Sequence, residues 1–113
     1  MIPTAPTAAH SPLLRILCCR QVNGGTCTSV GVGGCTLGGC FGPFSQKLGP
    51  SASNVLQAKV VLANGTLVTT SKCSHPDLFW ALRGGGSGHG VVTEWTYRTY
   101  TTPDFLAELI YSE

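Results

Sequence analysis

Hydrophobic positions along this chain cluster most clearly between Asn54 and Tyr100. "NVLQAKVVLANGTLVTTS" places two apolar, β-branched runs on either side of Asn64-Gly65, a dipeptide suited to a two-residue type I′ hairpin turn. That turn sets Leu62 opposite Leu67 and Val60 opposite Thr69, with Val61 and Val68 paired on the other face. "SHPDLFWALRGGG" then predicts a short helix. Ser74 or His75 serves as cap, Pro76 as first helical residue and Asp77 as the acid of the first turn, and Gly84 is the stop. Leu78, Phe79, Ala81 and Leu82 form its apolar face, and Trp80 reads as core packing. "GVVTEWTYRTY" alternates as a half-buried strand, with Val91, Thr93, Trp95, Tyr97 and Thr99 on one side. The remaining positions, Val92, Glu94, Thr96, Arg98 and Tyr100, face the other way. "PDFLAELIYSE" opens like a further helix at Pro103 and Asp104. The order of elements predicts an α+β fold.

The ends carry little pattern. "MIPTAPTAAHSP" reads as a disordered lead-in, and "LLRILCC" is too short and too interrupted by Arg15 for a membrane span. With 113 residues there is room for one small domain and no more. A net charge of +2 with no basic stripe gives no reason to expect a nucleic-acid or membrane partner. Charged residues make up 11% of the chain, against about 25% in ordinary soluble domains. Much of the surface is therefore expected to lie against something else, as in a piece of a larger fold.

Six cysteines stand at Cys18, Cys19, Cys27, Cys35, Cys40 and Cys73. Their spacing matches no knotted scaffold known to us, no C-x-x-C occurs, and Cys73 and His75 are too close for the usual zinc pair. Most are expected to be small buried hydrophobes.

The segment "GGTCTSVGVGGCTLGGCFG", Gly24 to Gly42, holds eight glycines in nineteen residues and leads into no obvious helix. Bare backbone of this kind either packs under a hairpin or lets a planar ligand approach closely, with Cys27 just upstream. "GGGSGHG", Gly84 to Gly90, follows a helix and precedes a strand. That is the reverse of the dinucleotide fingerprint, and no P-loop sequence is present.

Four motifs in register, "GGTCTSVGVGGCTLGGCFGPFSQKLG", "NVLQAKVVLANGTLVTTS", "PDLFWALRGGG" and "GVVTEWTYRTY", resemble the FAD-linked oxidases of the vanillyl-alcohol oxidase superfamily, in particular the berberine-bridge-enzyme-like group. The resemblance implies a partial PCMH-type FAD-binding domain over residues 22–102, preceded by a divergent lead-in at 1–21 and followed by the start of a further segment at 103–113. It also implies FAD as cofactor and oxidation of an alcohol, sugar or amine by hydride transfer, with oxygen as acceptor. In that family a C-x-x-V-G-x-x-G segment lies beside the isoalloxazine ring, and its cysteine can form a thioether to the flavin. Here the matching residues are Cys27, Val30, Gly31 and Gly34, with Gly33 between, and Val30 falls at the position associated with oxygen access. The family's G-G-G-x-G is matched by Gly38, Gly39 and Gly42, and its G-V-V near FAD by Gly90, Val91 and Val92.

The sequence also departs from the family. Cys40 replaces the third glycine of the triplet, and Cys35 stands where histidine or an apolar residue is common. Ser53 replaces an aspartate and His89 an aromatic residue. Nothing before Val22 matches the pyrophosphate loop ending in Gly-His-Ser, and no residue is identified as a general base, so the chain alone is expected to be inactive. A non-catalytic, disulfide-stabilised binding module is the alternative from a different class.

Overall fold

The computed structural model describes residues 20–101. The expectations for the lead-in, for Cys18 and Cys19, and for the helix starting at Pro103 lie outside the described residues. Within them, a three-stranded antiparallel sheet runs in the order β3-β2-β4, built from β2 (Val55–Val61), β3 (Leu67–Ser71) and β4 (Val91–Tyr97). A two-stranded sheet pairs β1 (Arg20–Gln21) with β5 (Tyr100–Thr101). The helices are α1 (Val32–Leu37), α2 (Ser45–Leu48) and α3 (Pro76–Ala81), with a 3-10 turn at Ser51–Asn54. The α+β class is thus borne out.

Three sequence expectations about these elements are corrected. First, the hairpin closes through a longer loop than type I′. The Leu62 N–H donates to Thr66 O at 2.9 Å and the Gly65 N–H to Leu62 O at 2.9 Å. Only Gly65 takes a positive φ, 81°, while Asn64 uses its Oδ1 to accept the Thr66 N–H at 3.0 Å. The register therefore sets Val61 opposite Leu67, Val60 opposite Val68 and Lys59 opposite Thr69. Because side chains alternate along a strand, this one-residue change moves Val68 onto the core face beside Val60.

Second, β4 does not alternate cleanly. Val92 pairs with Val60 and Glu94 with Lys59, leaving Thr93 as an extra residue, and Leu56 is likewise extra between Val55 and Gln57. Each bulge resets the face of the residues after it, so Val92 and Trp95 both pack on the core.

Third, Trp80 is 76% exposed and does not enter the core. Helix α3 otherwise follows its pattern. Pro76 opens it, Asp77 lies in the first turn, and Phe79 and Leu82 are buried. His75 is the cap residue, at φ 48°, with no side-chain cap bond, and the Ser74 hydroxyl donates instead to Thr69 O at 3.1 Å. Gly84, at φ 117°, follows the last turn as expected.

The core is centred on Ala58, Val60 and Leu82, ringed by Leu37, Leu62, Val68, Leu78, Val92 and Trp95. It thus joins all three strands of the larger sheet to α3 and to the end of α1. No helix among the described residues is long and apolar enough to cross a membrane.

Candidate functional site

The glycine segment forms a helix where its composition argues against one. Two glycines and a β-branched threonine give α1 poor intrinsic propensity, so tertiary contacts hold it. Thr36 is buried and its Oγ1 lies 2.6 Å from the Tyr97 hydroxyl, while Leu37 packs against the core. Burial of Tyr97 pushes its pKa above the usual value, partly opposed by the Thr36 hydrogen bond. The Leu37 carbonyl accepts the Gly86 N–H at 2.9 Å, which ties the first glycine segment to the second.

The face of α1 turned away from the core is bare, with Gly31, Gly34 and Gly38 exposed; Gly33 is exposed as well, on the side of Trp95. A Cβ added at Gly31, Gly34 or Gly39 would meet nothing within 4 Å, and at Gly33 only Trp95 Nε1 at 4.0 Å. Packing inside this chain therefore does not require these glycines, apart from the left-handed turn at Gly39, φ 104°. Cys27 stands one turn upstream, exposed and with a free thiol. Its carbonyl accepts the Val30 N–H at 3.2 Å, so this turn runs directly into Gly31, the cap of α1. A flat surface without side chains, with a thiol at its edge, fits an aromatic ring system laid against backbone.

The other expected site residues divide differently. Gly42 is required by packing, since a Cβ there would fall on the Gly24 carbonyl oxygen, 1.8 Å away. Gly90 is required twice over, by φ 143° and by Val60 Cγ1 only 2.7 Å from an added Cβ. Val91 is exposed and lines a cleft of roughly 410 Å³ with Val61, Leu62, Ala63, Gly88, His89 and Gly90, whereas Val92 packs on the core.

The cysteines depart from the expectation of buried hydrophobes. Cys35 and Cys40 form a disulfide, Cys27 and Cys73 are exposed free thiols, and Cys40 alone of these four is buried. Spacing alone does not select Cys35 and Cys40 as partners, and the helix that brings them together was not legible. Sequence reasoning also missed a polar joint beneath the site. Asn23, 1% exposed, donates through Nδ2 to Ser45 Oγ at 2.8 Å and to Gly49 O at 2.6 Å. Ser51 Oγ donates to the Asn23 carbonyl, which fixes the chain entering the glycine segment to the chain leaving it.

A family model described as an FAD binding domain matches residues 19–71. Xylooligosaccharide oxidase of Thermothelomyces thermophilus is 49% identical over 84 residues, 74% of this chain and 17% of that protein. A solved chitooligosaccharide oxidase superposes with a TM-score of 0.80 at 36% identity, covering 87% of this chain and 21% of that one. Glucooligosaccharide oxidase from Acremonium strictum, described with a 6-S-cysteinyl, 8α-N1-histidyl FAD, superposes with a TM-score of 0.77 at 39% identity over 81% of this chain and 19% of its own. The chain thus spans about a fifth or less of the relatives it matches, within the part that serves FAD. It belongs to the FAD-linked oxidases of the vanillyl-alcohol oxidase, PCMH-type, superfamily.

Proposed function

We propose that this chain is the flavin-facing part of an FAD-dependent oxidoreductase acting on an alcohol, sugar or amine. Residues 22–102 form the partial FAD-binding unit, residues 1–21 a lead-in, and residues 103–113 the beginning of the following segment. The observation that carries this reading is the bare outer face of α1, where added side chains would meet nothing in the chain itself. Bound FAD would supply hydride acceptance and electron transfer to oxygen. The chain's own residues bind and orient it. Backbone from Gly31 through Gly34 would hold the ring, and Val30 stands at the position associated with letting oxygen reach it. Gly38, Gly39 and Gly42 shape the turn beyond, while Gly90 and Val91, with Val92 packed on the core behind them, would hold the rest of the cofactor. Cys27, the exposed thiol at the rim, would hold the ring covalently through its sulfur, as glucooligosaccharide oxidase is described with a 6-S-cysteinyl FAD.

Among the described residues the single disulfide closes only a short loop and leaves Cys27 and Cys73 free, so no observation there favours a disulfide-framed binding module. The test is a chimera in which a close relative supplies the upstream flavin segment and the substrate domain, with that relative's flavin-linking histidine replaced. Yellow colour should survive denaturation with Cys27 and be lost in Cys27→Ala. Colour that persists without Cys27, or never forms with it, overturns the assignment. The 113-residue chain alone should produce no hydrogen peroxide from alcohols, sugars or amines above a free-flavin control.

A further inference from the structure

The turn that ends α1 holds chemistry that neither the fold nor the flavin reading uses. Cys35, in α1, and Cys40, five residues later, are joined by a disulfide with their Cα atoms 4.7 Å apart. Cys40 takes φ 57°, the left-handed region that residues bearing a β-carbon avoid. Position 40 thus has a backbone shape suited to glycine, yet it is occupied by a residue whose side chain is tethered. Two backbone hydrogen bonds share the load. The Cys40 carbonyl accepts the Ser51 N–H at 2.9 Å, and the Gly39 carbonyl accepts the Ala52 N–H at 3.0 Å. A covalent ring this small gains less from restricting the unfolded chain than a long loop does. The bond therefore works against the local backbone preference, and disulfides held in that way are the ones reduced most readily. Access is available too, because Cys35 is only half-buried and an added side chain at neighbouring Gly39 would meet nothing.

We propose that Cys35–Cys40 is a thiol–disulfide exchange site for dithiol reductants, and so a redox-controlled clasp on the turn that ends the bare helix. A thiolate of the dithiol attacks Cys35 Sγ. The Cys35–Cys40 bond breaks, and Cys40 leaves as a thiolate that takes up a proton. The second thiol of the reductant then closes its own disulfide and releases Cys35 as a thiol. Two electrons and two protons pass from the dithiol to the pair. Untethered, Cys40 relaxes out of the left-handed region, and the bonds to Ser51 and Ala52 loosen with it. The consequence for cofactor binding rests on the flavin reading, but the clasp does not.

Trypsin should release residues 21–47 as one peptide carrying Cys27, Cys35 and Cys40. Alkylation of the unreduced, denatured chain should label this peptide once, at Cys27, and three times after native treatment with dithiothreitol. Amide exchange at Ser51 and Ala52 should quicken roughly tenfold on reduction. Cys35→Ser should exchange quickly with or without reductant. Cys35→Ser/Cys40→Gly should return to slow exchange, because glycine adopts this backbone without a tether. Three labels before reduction, a bond that native dithiothreitol leaves closed, or exchange unaltered by reduction would overturn the proposal. The comparison before and after reduction stands even if a variant fails to fold. Loss of flavin from the chimera with these results intact would count against the flavin reading alone.

Discussion

A Cβ added at Gly90 would lie 2.7 Å from Val60 Cγ1 and 2.8 Å from the Val61 carbonyl oxygen, whereas at Gly34 it would meet nothing within 4 Å. The two positions should therefore respond oppositely. Gly90→Ala forces a strained φ and a clash into the sheet, and should cost more than about 2 kcal/mol in urea unfolding. Gly34→Ala should leave stability unchanged or raise it by up to about 1 kcal/mol, since alanine favours helix, while weakening flavin retention in the chimera. Equal stability losses at both sites would remove the argument that the α1 face is kept bare for a ligand. Tyr97 gives a second residue-scale test. Its folded pKa is raised above the usual 10.0, chiefly by burial, so the fold favours the neutral phenol. That contribution is complete below the unfolded pKa and is lost as pH rises through the folded one. Of the three tyrosines, Tyr97 should ionise late in an alkaline absorbance titration, and Tyr97→Phe should remove that late phase.

The elements meet around Asn54, which joins the 3-10 turn to both sheets. Its Nδ2 donates to Leu48 O at 2.9 Å and to Pro50 O at 3.1 Å. Its Oδ1 accepts from the Tyr100 hydroxyl at 2.6 Å, and its carbonyl accepts the Arg98 N–H at 2.7 Å. Asn54→Ala removes the three side-chain bonds at a buried position and should cost roughly 3 kcal/mol by urea denaturation. A loss within measurement error would mean that the joint is not structural. None of this was legible from the sequence, because an asparagine before a strand looks like any turn residue. The hairpin strands, α3 and the start of β4 were legible, since each carries its own periodicity or punctuation; the alternation expected through Tyr100 instead breaks after Tyr97, and Tyr100 joins β5 in the other sheet. The hairpin register was not, because Asn64-Gly65 suits more than one turn and strand pairing chose the longer loop. Nor were the bulges at Thr93 and Leu56, which leave the apolar pattern of each strand intact and show only against a partner. Helix α1 was hidden by its glycines, its stability residing in Thr36 and Leu37 contacts far along the chain. Within the site, Cys27 and the bare glycines were read as a unit from sequence. The separate packing duty of Gly42 and Gly90 shows only in the fold, where each meets backbone or side chain from a distant segment.

Across the whole molecule, large apolar side chains remain uncovered. Trp80 is 76% exposed, Phe41 72%, Val91 68%, Leu67 58% and Leu56 45%. With only 11% charged residues, little electrostatic repulsion offsets such patches. The low charge was already a sign in the sequence that this surface lies against something, and the exposure of Trp80 gives that sign an address. Matching relatives are five to six times longer than the segment this chain matches, so in them there is ample further protein to lie against the corresponding surface. On its own, the chain should therefore associate with itself as concentration rises, with sedimentation velocity showing growing species across the micromolar range. Phe41→Lys/Trp80→Lys should shift the population toward monomer without lowering the urea midpoint, because neither side chain contributes to the core. A strictly monomeric parent chain, or a double variant that associates equally well, would show that these side chains are not the adhesive surface. A double variant with a depressed urea midpoint would instead mean that Phe41 or Trp80 holds the fold together.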